Sequence, residues 1–124
     1  MSNILIVEDH HYMARMLSYM ITANGHQAEV ASNGQEALRK LNETDVDLLI
    51  TDMYMPKMNG LSLVQKVRQT TTHEKLPVIM LTVSGDEGSR QLAHHSGTDC
   101  FLRKPVLIAE LHQAVDTLLD ECVQ

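Results

Sequence analysis

Short apolar runs alternate with longer amphipathic stretches five times along the chain, and this alternation limits the fold more than any other feature. Ile4-Leu5-Ile6-Val7 is continuous and rich in β-branched residues, as expected of a strand covered on both faces. From about His11 to Asn24, Met13, Met16, Leu17, Met20 and Ile21 recur at helical spacing. Asn24-Gly25 then supplies a C-terminal stop. Gln27 to Ala31 reads as a weaker second strand, and Ser32 with Gln35 as a capping box for a helix carrying Ala37, Leu38 and Leu41. Leu48-Leu49-Ile50-Thr51 is a third strand, followed from about Asn59 by a helix with Leu61, Val64 and Val67 inward. Val78-Ile79-Met80-Leu81 is a fourth strand. Ser84 and Glu87 predict a second capping box, opening a helix to about His95 whose one large apolar residue is Leu92. So thin an apolar stripe implies weak docking and high mobility. Cys100-Phe101-Leu102 is a short fifth strand, and Ile108, Leu111, Val115 and Leu118 form the stripe of the last helix.

Five strand-helix units predict an α/β domain with a parallel sheet and right-handed crossovers. Sandwiches and helical bundles do not alternate in this way. Periodicity does not give strand order, but the doubly wound, flavodoxin-like order 2-1-3-4-5, with helices on both faces, suits 124 residues. No linker, repeat or low-complexity tract divides the chain, so residues 1–124 are expected to form one domain. Ten Lys+Arg against sixteen Asp+Glu give a net charge of −6. With only Phe101, Tyr12, Tyr19 and Tyr54 as aromatics, neither the cationic footprint nor the stacking platforms of a nucleic-acid binder are present. Two cysteines, Cys100 and Cys122, favour a reducing, cytoplasmic setting over a disulfide scaffold. No apolar run approaches the roughly 18 residues of a membrane span, and no basic region precedes the first apolar run.

Ligands of open α/β sheets bind beyond the carboxyl ends of the strands. Here the first strand ends in Glu8-Asp9, the third in Asp52, the fourth in Thr82 and the fifth in Arg103-Lys104-Pro105. Each has an ordinary explanation alone: Asp52 as a loop carboxylate or cap, Glu8 and Asp9 as answers to a helix N-terminus, Lys104 as a surface lysine, Thr82 as a strand residue. Their convergence at one edge argues for a site. Three carboxylates about 5 Å apart repel by about 3 kcal/mol per pair at an effective dielectric near 20. An all-oxygen cluster calls for a hard cation, in the manner of Mg²⁺. Lys104 is suited to phosphate, and Thr82 can donate to a phosphoryl oxygen. The set predicts phosphoryl transfer to Asp52 as nucleophile, with a metal and Lys104 stabilising the transferring group.

Asp52-Met53-Tyr54-Met55-Pro56-Lys57-Met58-Asn59-Gly60, joined to Glu8-Asp9, to Thr82 after Val-Ile-Met-Leu, and to Gly97…Phe101-Leu102-Arg103-Lys104-Pro105, resembles the receiver domain of two-component response regulators, and in particular the chemotaxis-type single-domain receivers. The resemblance implies that Asp52 accepts a phosphoryl group from a phosphohistidine on a histidine kinase or phosphotransfer protein. It implies that Asp9 binds Mg²⁺ directly and Glu8 through water, with the Tyr54 backbone carbonyl as a further ligand. Lys104 would pair with the phosphoryl group, Thr82 would swing to it, and Phe101 would be the switch aromatic that turns inward. Lys104-Pro105 would be a cis peptide. The added charge would bias a two-state equilibrium of the fourth helix, fifth strand and fifth helix toward a downstream protein target. A phosphorylation-dependent dimer is a further expectation, whereas direct nucleic-acid or membrane binding by this domain is not.

The chain departs from the family at Val83, where Ala or Gly is usual, and at Thr98, where Ala is common. A β-branched Val83 should narrow access to the acyl phosphate and slow its hydrolysis. Tyr54 and Ser84, two past Asp52 and Thr82, stand where the family tunes attack by water. Two rivals follow the same residues: a degenerate receiver used only for docking, and an aspartate-based phosphatase. The first is disfavoured by the intact Glu8, Asp9, Asp52, Thr82 and Lys104. The second needs its nucleophile at the end of the first strand with a second Asp two residues on, and Glu8-Asp9-His10-His11 does not fit. A flavin carrier lacks its phosphate loop after the first strand. If the given length is natural, the expectation is a single-domain relay; if not, an output module follows. His10 and His11 read as surface residues rather than a transition-metal site. His26 and His94-His95 read as solvated. Met53, Met55 and Met58 read as packing, Cys100 as a buried strand residue and Cys122 as part of a tail.

Overall fold

Every residue from Ile4 to Val7 is buried, because the first strand is an interior strand of a sheet covered on both sides. The computed structural model describes residues 2–83 and 85–123, and the side chains up to residue 120. Its elements are β1 (Asn3–Val7), α1 (His11–Ala23), β2 (Gln27–Ala31), α2 (Gly34–Glu43), β3 (Leu48–Asp52), α3 (Gly60–Gln69), a single 3₁₀ turn at Thr71–His73, β4 (Val78–Thr82), α4 (Glu87–Ser96), β5 (Cys100–Arg103) and α5 (Ile108–Val123). All neighbouring strands are parallel, in the order β2-β1-β3-β4-β5.

Strand alternation divides the core in two. Ile4, Ile6, Leu48, Ile50, Ile79 and Leu81 face α1 and α5, where they meet Leu17, Ile21, Leu111 and Val115. Leu5, Val7, Leu49, Val78 and Met80 face the other way, against Ala37 and Leu41 of α2, Leu63, Val64 and Val67 of α3, and Ala93 of α4. β1, β3 and β4 feed both layers, so their runs are continuously apolar.

Several expectations are corrected. Both capping boxes are displaced. Asn33, not Ser32, caps α2, its side chain accepting from Glu36 N, while Ser32 Oγ donates to the Glu36 carboxylate. Asp86 caps α4 by accepting from Ser89 N, so that helix opens at Glu87; Ser84 lies outside the described residues. Leu92 is 52% exposed, and the residues that α4 buries are the small Ser89, Ala93 and Ser96 instead. Met16 and Ile108 also point outward, and Cys100 is half-buried rather than buried. His26 is half-buried, its Nδ1 accepting from Ser2 N. The side chain of Cys122 lies outside the described residues. Among the described residues no helix is long and apolar enough to cross a membrane.

Candidate functional site

The parallel register sets Val7 opposite Thr51, Asp52 opposite Leu81 and Thr82 opposite Arg103, so four strands end at one edge. The ladder runs one step further: Glu8 N donates to Ala31 O, Met53 N to Leu81 O and Lys104 N to Thr82 O, at 3.0, 2.8 and 2.7 Å. Glu8, Asp52 and Lys104 therefore leave rigid backbone rather than loose loop. Asn59 caps α3 by accepting from Ser62 N, and Gly60 N donates to Met53 O at 2.8 Å, folding the β3-α3 loop back beneath Asp52.

Carboxylate oxygens of Glu8, Asp9 and Asp52 lie within 4.8 Å of one another. Glu8 and Asp52 are buried, whereas Asp9 is exposed at the mouth. The Lys104 ammonium lies 2.5 Å from Asp52 Oδ1 and 3.3 Å from Glu8 Oε2. Glu8 Oε1 accepts from His10 N. The Lys104-Pro105 peptide is cis. Thr82 is buried at the last position of β4. Tyr54, two residues past Asp52, and Val83, one past Thr82, are exposed, Val83 at 72%. Phe101 lies apart from the acidic pocket, half-buried in β5 with the Arg90 guanidinium 5.5 Å from its ring centroid.

Burial pushes the Asp52 carboxyl up to about 8, and the neighbouring Glu8 adds to this while Lys104 pulls the other way. Burial works against the Lys104 ammonium, yet Asp52 and Glu8 outweigh it and raise its pKa. One ammonium thus stands against three carboxylates in a pocket closed to water on its inner side. Asp52 Oδ1 is buried and takes no hydrogen bond of good geometry from a described residue, its charge being met by Lys104. A hard divalent cation fits this all-oxygen donor set and its excess of negative charge.

Sequence reading missed two side-chain contacts that lie away from this edge. Arg68 of α3 donates to Leu76 O at 2.6 Å and to Gly97 O at 2.8 and 3.1 Å, and pairs with Asp99 at 2.9 Å. It ties the end of α4 to the start of β4, and nothing in local spacing signals an arginine that bonds residues 8 and 29 positions away. The second is Arg90, whose relation to Phe101 crosses from helix to strand.

A doubly wound sheet with an acidic pocket and a lysine at its carboxyl edge is the architecture of a signalling receiver. The chain belongs to the response regulator receiver domain family, whose model matches residues 4–116. It is 36% identical over 119 residues to a transcriptional regulatory protein CpxR homolog of Haemophilus influenzae, covering 96% of this chain and 51% of that one. The chain spans about half the length of the first curated relatives it matches. A putative response regulator from Chloroflexus aurantiacus superimposes with a TM-score of 0.93 at 32% identity, covering 96% of this chain and 98% of that one. The chemotaxis protein CheY4 of Vibrio cholerae does so at 0.91 and 29%, with 95% and 98% covered.

Proposed function

We propose that this domain is a phosphorylation-dependent switch whose acceptor is Asp52. The observation that carries the reading is the Lys104 ammonium at 2.5 Å from Asp52 Oδ1, inside a cluster of three carboxylates within 4.8 Å. The donor is a phosphohistidine on a histidine kinase or phosphotransfer protein. An Asp52 carboxylate oxygen attacks phosphorus, a P–O bond forms, the P–N bond breaks and the imidazole leaves with the electron pair. Lys104 neutralises charge on the phosphoryl oxygens, and the Thr82 hydroxyl donates to one of them. Asp9, Asp52, Glu8 and the Tyr54 backbone carbonyl would hold Mg²⁺, which when bound supplies charge neutralisation for the transferring group. Phosphorylation replaces one negative charge by about two. Thr82 and Phe101 then carry the change to α4, β5 and α5, where a downstream protein docks. The domain catalyses only its own phosphoryl uptake and loss. Its relatives' status as transcriptional regulators supports a cytoplasmic signalling role, with any DNA contact made outside this domain.

Mg²⁺ with beryllofluoride, a phosphoryl mimic, is expected to shift amide resonances of β4, α4 and β5 in wild type and to leave Asp52→Asn unmoved. Equal shifts in the two proteins would sink the acceptor assignment. Val83 directly follows Thr82 and is exposed, and a β-branched side chain there would narrow access to the acyl phosphate, so Val83→Ala should speed hydrolysis of the phosphorylated domain; an unchanged or slower rate counts against its screening role.

A further inference from the structure

We infer that Arg90 is a latch that holds Phe101 and the N-terminal half of α4 in the unphosphorylated arrangement. This rests on the reading above, in which Phe101 turns on phosphorylation. The C-terminal end of α4 is tied to α3 through Arg68. Gly97 ends it in the left-handed region at φ 101°, and the Arg68 guanidinium holds Gly97 O. The residues that α4 buries are small, Ser89, Ala93 and Ser96. Arg90 is the fourth residue of α4, in its N-terminal half. No described carboxylate pairs with it within 4.0 Å. Its guanidinium lies instead over the Phe101 ring, 5.5 Å from the centroid. Met80 faces Phe101 in the register, and the ring packs against the cluster that includes Met80 and Ala93. Any turn of the ring out of this seat takes its face from beneath Arg90. Phe101 thus cannot leave its present position without breaking the contact, and α4 cannot swing without carrying Arg90 off the ring.

The contact lies in a groove of about 590 Å³ that Arg90, Phe101, Glu87 and His94 help to line. Being open to water, it belongs at the exposed end of the cation–π range, which corresponds to a factor of about two to five in an equilibrium constant. Where the resting state dominates, a factor in the switching equilibrium passes directly into the apparent midpoint of any ligand that selects the switched state.

Phe101 is the chain's single phenylalanine, so 4-fluorophenylalanine labelling gives one ¹⁹F resonance on the ring in question. The full chain is titrated with beryllofluoride at fixed Mg²⁺. Arg90 is exposed, so Arg90→Leu keeps the fold, verified by an unchanged urea midpoint. The variant is expected to switch at a beryllofluoride concentration about two- to fivefold lower. Its free-state ¹⁹F line should also move toward the saturated position, which a merely structural role would not produce. A variant midpoint equal to or above wild type overturns the latch alone. A wild-type line that stays still at saturating beryllofluoride overturns the acceptor reading, and the latch with it.

Discussion

Lys104→Met is expected to cost the free domain about 3–5 kcal/mol at pH 9 and markedly less at pH 5, by urea unfolding in the presence of a chelator. The lysine ammonium answers two buried carboxylates, at 2.5 Å on Asp52 and 3.3 Å on Glu8. Removing it leaves buried charge without a counter-ion, a far larger loss than for a surface pair. The pH dependence has a definite sign. Asp52 in the folded protein is raised from an ordinary 3.8 to about 8, so the stability tied to its proton is fully present below the ordinary value and is lost as pH climbs through 8. Lys104 is a group that draws that value down. Without it Asp52 holds its proton to higher pH, and the variant goes on losing stability after wild type has stopped. The gap between the two therefore opens above about pH 8. An equal loss at both pH values would mean that the lysine acts through packing of its stem rather than through charge.

The elements that could be read from the sequence are those whose side chains have no choice of face. Ile4 to Val7 and Val78 to Leu81 are apolar at every position, so any register buries them, and the strands follow. The acidic pocket was legible for a related reason. Parallel strands all end at one edge, so Glu8-Asp9, Asp52 and Lys104, each just past an apolar run, had to meet once the order was 2-1-3-4-5. Helical faces were read less well, because spacing alone does not say how much area a neighbour covers. α1 buries Ala14, Leu17 and Ile21 and leaves Met16 out, while α4 turns Leu92 to solvent and packs Ala93 and two serines. Caps slipped by one or two residues because Asn33 and Asp86 compete with the nearby serines and offer an equally good acceptor. The Arg68 clamp and the Arg90-Phe101 contact were not legible at all. Both join residues distant in sequence through side chains that local patterns count as exposed.

Gly60→Ala is expected to lose about 3 kcal/mol or more of stability and to disorder the acceptor site. The cause is a close approach of backbone. A β-carbon at Gly60 would lie 2.0 Å from the Asp52 carbonyl oxygen, 3.0 Å from the Asp52 carbonyl carbon and 3.1 Å from Met53 Cα. None of these is the end of a flexible side chain, and the same stretch is fixed by Gly60 N donating to Met53 O. Room can come only from separating α3 from the end of β3, which is the segment that holds Asp52 against Lys104. The added methyl thus damages stability and chemistry through one displacement. Gly88→Ala is the control, since a β-carbon there meets nothing closer than Asp86 Oδ1 at 3.6 Å. In the first turn of α4 that change should be neutral or gain up to about 1 kcal/mol, from the better helix propensity of alanine. Urea unfolding of the two variants, followed by beryllofluoride binding by whatever remains folded, separates the cases. A Gly60→Ala protein within about 1 kcal/mol of wild type and switching normally would show that β3 and α3 can part without cost, and the rigidity ascribed to the Asp52 platform would be wrong.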